Sequence, residues 1–329
     1  MKIFTPIAAT VVAVMTFTGA SYAESLKISH VRPQDSTIDQ EIKRFAGNVA
    51  EATDDLELDI FAASSLGDYT DVQERISLGA VDMAVQPVAT GVDRRMQIST
   101  LPYLAENWDE AREIFGPGGP VRETMEDLYA EQNIRVLAGY PVYFGGVSLN
   151  RPPESPGEVD VEKGIKVRVP EIKSFQLNAE ALGYNPAPIP FSDAFTAVQT
   201  GVVDGVIGSG AEGYYASFRD VTQTYIPMNT HFEFWYMLIS ERSFASLDSA
   251  EQDALVSTAE GFEDQRWEVA EKDQAANEQR LADAGATIVD ISDAQLEAAA
   301  EKARSEVWPE ILDDIGEEWG QEILDEIDQ

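Results

Sequence analysis

Arg168 stands in a short alternating run, Ile165-Lys166-Val167-Arg168-Val169-Pro170, and is the side chain in this 329-residue sequence best suited to seizing an anion. Its planar guanidinium presents paired N–H donors that match a carboxylate or a sulfonate. The same alternation puts Arg168 on one strand face with Lys166, so residue types alone also allow a surface arginine in an ordinary salt bridge. A rival pattern follows. Gly208-Ser209-Gly210-Ala211-Glu212-Gly213 has dinucleotide-fingerprint spacing, and Glu233 lies 20 residues further on, where an acid would meet a ribose. Read that way, the chain is a secreted NAD-dependent oxidoreductase. Against it, the motif sits deep in the chain and Tyr214-Tyr215 is bulky where a pyrophosphate must approach. A third reading keeps the glycines and drops the cofactor: the backbone amides around Gly208 and Gly210 present N–H groups to an anion. In Phe232-Glu233-Phe234-Trp235-Tyr236, alternate residues face opposite sides, so Trp235 or Phe234 can line a pocket. Tyr140, Tyr143 and Phe144 form a second aromatic group, and several aromatics together would accept a quaternary-ammonium or aromatic part of a ligand.

Much chemistry is excluded. The sequence has no cysteine, so no disulfide, zinc cluster, iron–sulfur site or thiol nucleophile is available. Its two histidines, His30 and His231, lack metal-ligand spacing and read as packing or hydrogen-bonding residues. Gly-x-Ser-x-Gly is absent, and Asp204 with Glu233 would make an acid pair only if the fold joined them. The expectation is a binding protein, not an enzyme, with no metal and no cofactor.

The elements that must position these groups alternate between strand and helix. Strands are expected near residues 26–31, 56–60 and 81–85, with helices at 38–49 and 71–78 between them. Two helices follow, at 108–115 and 121–131, then a strand at 135–139. Pro152–Gly157 reads as a connector between domains. Around Arg168 the order is strand, helix to Gly183, a loop punctuated by Pro186, Pro188 and Pro190, helix 192–200 and strand 202–207. A helix is expected at 214–221. Residues 232–239 are almost continuously apolar and read as a buried strand. Residues 246–284 read as one long helix able to brace two domains. A strand at 287–289 and two closing helices separated by Pro309 complete the chain. The pattern is α/β.

Lys2, the apolar run 3–18 and Ser21-Tyr22-Ala23 fit a secretory signal peptide over residues 1–23, which implies a periplasmic protein. No other run is long enough to enter a membrane directly. The net charge of −36 opposes nucleic-acid and anionic-lipid partners and reads as a strongly hydrated surface.

Several segments in order resemble one family: Ser65-Leu66-Gly67-Asp68, Leu78-Gly79-Ala80-Val81-Asp82-Met83-Ala84 and Leu101-Pro102-Tyr103, then Lys163-Gly164-Ile165-Lys166-Val167-Arg168-Val169-Pro170, Ala181-Leu182-Gly183 and Ala197-Val198-Gln199-Thr200-Gly201-Val202-Val203-Asp204-Gly205. The chain resembles the solute-binding proteins of tripartite ATP-independent periplasmic (TRAP) transporters, of the DctP type. The resemblance implies a two-domain α/β clamp with mostly parallel sheets, domain-crossing strands and a long bracing helix. It implies a small anionic or zwitterionic organic solute, held by hinge closure and delivered to membrane permease subunits. It places the ligand carboxylate on Arg168, an aromatic contact on Phe191, and polar contacts on Gln86 and Asp68, with Trp235 or Phe234 and Gly208 completing the site. The expected halves are 24–145 plus 234–273 and 146–233 plus 274–329. A ligand-sensing subunit is the remaining alternative. The chain departs from the pattern twice: Phe144-Gly145-Gly146-Val147 lacks a second arginine, and Asp204-Gly205-Val206-Ile207-Gly208-Ser209 lacks an Asn-Pro pair. One cation is therefore expected where some members have two.

Overall fold

The computed structural model describes residues 24–327; the signal peptide expected at 1–23 lies outside them. The chain begins with the expected βαβαβ run: β1 (Glu24–Ser29), α1 (Thr37–Ala52), β2 (Leu56–Phe61), α2 (Tyr69–Ser77) and β3 (Met83–Gln86). Local chemistry sets these boundaries. The Ser36 hydroxyl accepts from the Asp39 amide at 3.3 Å to open α1, and Asp68 caps the start of α2. A 3-10 stretch (Arg94–Thr100) leads to α3 (Trp108–Phe115), α4 (Pro120–Ala130) and β4 (Ile134–Phe144).

The chain then enters a second sheet. It forms β5 (Gly146–Leu149), β6 (Lys166–Val169), α5 (Lys173–Ala181), β7 (Asn185–Pro188), α6 (Phe191–Gln199) and β8 (Gly205–Ser209). A single turn, α7 (Ala211–Gly213), runs into a π-helical turn (Tyr214–Phe218) and β9 (Thr224–Ile226). The expected helix over 214–221 is thus a short, widened turn. The Pro-rich segment expected as a loop is partly the strand β7. Prolines are tolerated there because β7 is the outermost strand of its sheet.

β10 (Phe232–Ser240) returns to the first sheet and is buried over its whole length. After α8 (Glu241–Ser246) comes α9 (Ser249–Asp283), a helix of 35 residues and about 52 Å. The expected long helix therefore starts later than Ser246, because Asp248 caps it: its carboxylate accepts from the Ala250 and Glu251 amides at 2.8 and 3.0 Å, and Glu251 accepts from the Asp248 amide at 2.7 Å. β11 (Thr287–Ile288), α10 (Asp293–Glu306), α11 (Trp308–Ile315) and α12 (Glu317–Ile327) end the fold. The expected break falls at Val307, two residues before Pro309, which occupies the first turn of α11, where its missing N–H costs nothing; a second break at Gly316, with φ of 101°, divides the last expected helix into α11 and α12.

The two sheets have orders β2-β1-β3-β10-β4 and β11-β9-β5-β8-β6-β7. They are mixed, not mostly parallel. β10 runs antiparallel to β3 and β4, and β5 antiparallel to β8 and β9. The reason is topological: each of these strands enters from the other sheet, so no helical crossover within one sheet constrains its direction. The passage from β4 to β5 turns on Gly145, while Pro152–Gly157, expected as the connector, joins two strands of the second sheet. The two crossing segments bond each other: the Gly145 amide donates to the His231 carbonyl at 2.8 Å, and the Thr230 amide donates to the Gly145 carbonyl at 2.9 Å. Along β10, Phe232, Phe234, Tyr236 and Leu238 enter one apolar core, while Trp235, Met237 and Ile239 enter another. The helix α9 packs on α1 and β4, and also on α7 and β11, so it touches both sheets.

Candidate functional site

β6 and the end of β8 form one wall of a cavity between the sheets, and the ends of β1 and β10 form the other. The space between these walls, counted with its mouth and the solvent open to it, amounts to about 590 Å³. Arg168 projects into it from β6 and is only 1% exposed. The surface-strand alternative is thereby corrected: the second layer of structure, including Phe191, covers the face that Arg168 occupies. Its one hydrogen bond among the described residues runs from Nε to the Ile189 carbonyl at 2.8 Å, and no carboxylate lies within ion-pairing distance. Burial pulls its pKa below the ordinary guanidinium value. An arginine stays charged regardless, so Arg168 is a buried cation whose remaining donors lack an anion.

A second arginine shares the cavity, which corrects the expectation of one cation. Arg32 follows β1, is 1% exposed, and donates from Nε to Glu212 at 2.8 Å and from Nη2 to the Tyr143 hydroxyl at 3.2 Å. Burial works against its charge, but Glu212, together with Tyr143 and Glu233, more than reverses this and its pKa rises. Both guanidiniums lie over Phe191, Arg32 at 5.3 Å and Arg168 at 5.7 Å from the ring centre, and Arg32 also lies 4.8 Å from Trp235. The sequence signal that would have found Arg32 is its place just past the first parallel strand, the edge at which open α/β sheets bind ligands.

Glu233 lines the cavity beside Trp235, Phe234 and Phe232. Its carboxylate accepts from the Trp235 indole N–H, two residues along the same strand face, and contacts His231 Nε2 at 2.9 Å. His231 in turn meets the Thr230 hydroxyl through Nδ1 at 2.9 Å. His231, expected as a packing or hydrogen-bonding residue, makes both bonds and also lines the cavity. Asp204 is elsewhere, paired with Arg151 at 3.3 Å, so it forms no acid pair with Glu233.

Of the expected contacts, Arg168, Phe191, Trp235, Phe234 and Gly208 come together around the cavity. Gln86 and Asp68 do not reach its wall. Gln86 is buried and donates to the Tyr69 carbonyl at 2.9 Å, while Asp68 caps α2 and accepts from the Ser192 amide at 3.1 Å. Their neighbours Pro87 and Tyr69 line the space instead, and the Tyr69 hydroxyl has no hydrogen-bond partner among the described residues.

The glycines of 208–213 are explained by close packing. Gly208 has φ of 101°, and a Cβ there would sit 2.5 Å from Pro170. A Cβ at Gly210 would strike the Tyr143 ring, and one at Gly213 would lie 2.6 Å from Arg32 Nη2. Protein side chains fill the positions a pyrophosphate would need, and the three-residue α7 supplies no long helix behind the loop. Among the described residues no group of three or more His, Asp or Glu side chains is placed to hold a metal, and no helix is long and apolar enough to cross a membrane.

The family model for bacterial extracellular solute-binding proteins, family 7 (DctP), matches residues 28–314. A solute-binding protein of Roseobacter denitrificans is 28% identical over 312 residues, covering 92% of this chain and 94% of that protein. The ectoine-binding periplasmic protein of Halomonas elongata is 26% identical over 323 residues, 93% of this chain and 90% of that protein. A solved TRAP periplasmic solute-binding protein from Roseobacter denitrificans, with bound L-galactonate, matches with a TM-score of 0.78 at 24% identity, over 94% of this chain and all of that one. With its family pattern running almost from end to end and its two-sheet fold shared with a TRAP receptor, this chain belongs to the bacterial extracellular solute-binding proteins of family 7, the DctP-type receptors of TRAP transporters.

Proposed function

We propose that the chain captures a small organic acid in the periplasm, after loss of residues 1–23, and presents it to membrane permease subunits. The observation that carries this reading is Arg168: a buried guanidinium facing the cavity with no acid of its own. A ligand carboxylate would supply the missing charge through charge-assisted bonds, with Phe191 and Trp235 packing its carbon body. Galactonate and ectoine, named for the relatives, each carry one carboxylate. The site is suited to holding a ligand, not converting it. Gly208 shapes the wall, Gln86 fixes Tyr69, and Asp68 acts as a latch on Ser192.

The halves 24–145 plus 234–273 and 146–233 plus 274–329 hinge at Gly145 and in the first residues of β10, with the third crossing inside α9. The contacts Asp68–Ser192, Arg32–Glu212 and Tyr143–Ser209 bridge them in the closed form. Closure is stabilised only by as much as the ligand prefers the closed state over the open one. Arg168→Ala removes one partner of a buried charged pair and should weaken binding by about 2–5 kcal/mol, on the order of 30- to 5,000-fold. A thermal-shift screen of organic acids followed by calorimetric titration tests it. A ligand whose affinity is untouched by Arg168→Ala would sink the assignment.

A further inference from the structure

Three charged side chains line the cavity, Arg32, Arg168 and Glu233, and a fourth, Glu212, pairs with Arg32 from outside its wall; they are not equivalent. Arg32 and Glu212 satisfy each other at 2.8 Å. Arg168 and Glu233 are both left without an arginine, lysine or carboxylate partner: Arg168 bonds a backbone carbonyl, and Glu233 bonds only Trp235 and His231. A neutral imidazole suffices for both bonds of His231, with Nε2–H donating to Glu233 and Nδ1 accepting from Thr230. Glu233 is 9% exposed and opens onto the same space as Arg168.

From this arrangement we propose that the ligand is a compact zwitterion, with its carboxylate on Arg168 and a cationic nitrogen group against Glu233. The proposal rests on the reading that Arg168 receives the carboxylate. A monoanion would occupy Arg168 and leave Glu233 with only the more distant field of Arg32, whose ion pair is already made with Glu212, and a dianion would add a further negative charge. A zwitterion gives every buried charge an opposite neighbour. Each Glu233 oxygen has two lone-pair sites and uses one inside the protein, so one acceptor position per oxygen remains. The wall next to it is aromatic, through Phe232, Phe234 and Trp235, which favours a cationic carbon skeleton.

The same wall suits a polyhydroxylated acid poorly. The hydroxyl hydrogens of Ser99 and Thr100 are directed to the carbonyls of Met96 and Gln97, and Tyr143 is engaged by Arg32 and Ser209. The Tyr69 hydroxyl has no partner among the described residues, and the Tyr143 proton goes to Ser209 or to a ligand, so at most two of these hydroxyls can donate to a string of hydroxyl oxygens.

The test compares probes of similar size by calorimetric titration of the purified protein. Ectoine and glycine betaine are zwitterions; pyroglutamate is a ring carboxylate without the positive charge, and galactonate is a polyhydroxylated anion. At least one zwitterion is expected to bind tenfold or more tightly than both anions. In Glu233→Gln, which keeps an acceptor for Trp235, that preference should shrink to threefold or less. Arg168→Ala should lose all four probes, and if it loses none the carboxylate anchor fails, separately from the Glu233 assignment. The proposal is overturned if an anion binds more tightly than both zwitterions, if neither zwitterion binds, or if Glu233→Gln leaves the ratio unchanged. The ratio in the unaltered protein decides the matter even if a variant folds badly.

Discussion

Gly145 and His231 illustrate how tightly single residues are set around the cavity. The backbone turns from one sheet to the other at Gly145, and a methyl group added there would enter the His231 ring and lie 2.8 Å from the Thr230 hydroxyl. His231 holds Glu233, so the clash reaches the binding wall through one intermediate. Gly145→Ala should destabilise the protein by about 1–3 kcal/mol, lowering the melting temperature by a few degrees, and should also weaken ligand binding. Calorimetry and titration on the same preparation check this; a variant with unchanged melting and unchanged affinity would mean that His231 tolerates displacement. At this scale Arg168 is legible through the family resemblance of its strand, since the alternating pattern alone also allows a surface arginine; the structure places it in the cavity. The sequence was not readable for Arg32, Tyr69 or Glu233. Their roles depend on which chain ends meet: Arg32 and Glu212 are 180 positions apart and in contact. The glycine spacing at 208–213, which matched a dinucleotide fingerprint, has a related cause. Close approach by Pro170, Tyr143 and Arg32 demands glycine just as a phosphate would.

Among the elements, the junction of β1 with α1 places Arg32, and a buried histidine secures it. His30 Nε2 contacts Asp39 at 3.1 Å, while Asp39 also takes the Asp35 amide at 2.6 Å and Lys43 at 2.7 Å. Burial lowers the His30 pKa against the pull of Asp39, and a second ring proton would be unsatisfied because Nδ1 has no partner. The unfolded chain therefore takes up a proton near pH 6.5 while the folded chain resists. Stability from this group is present above pH 6.5 and is lost as pH falls toward the lower folded pKa, by about 1.4 kcal/mol per unit of depression. Melting temperatures of the protein should drop between pH 7 and pH 5, and His30→Gln should flatten that drop; an identical slope in the variant would assign the effect to other groups. Most helices and strands were legible from period and caps, since Ser36 and Gly79 mark boundaries by local hydrogen bonding, whereas the cap at Asp248 was missed. What else was missed is non-local. The mixed direction of the sheets follows from β5 and β10 changing sheets, and β7 is a strand because β6 offers it an edge despite its prolines.

For the whole molecule, a formal charge of −36 sets a long-range repulsion that no single pair cancels. Exposed ion pairs such as Arg94–Asp314 contribute little each. Raising salt from about 0.02 to 0.5 M shortens the screening length from roughly 20 Å to roughly 4 Å, so the melting temperature should climb over that range and then level off. A salt titration at fixed pH reads this directly, and a flat or falling curve would show that specific pairs, not net repulsion, govern stability. The buried cluster on α9 is shielded from that effect: Arg266 joins Glu41, Asp273 and the Pro141 carbonyl, and Arg122 meets Glu263 at 3.0 Å. Salt should thus change the outside of the clamp more than its bracing.

The cavity draws its walls from both sheets, so a shut clamp would hold a solute between them. A membrane partner consequently cannot inspect the solute. It can sense only the spacing between two outer faces, which differs between a shut clamp and an open one. Recognition by such a partner becomes a measurement of outline, indifferent to which compound is inside, and the burden of chemical discrimination falls wholly on the handful of side chains around Arg168.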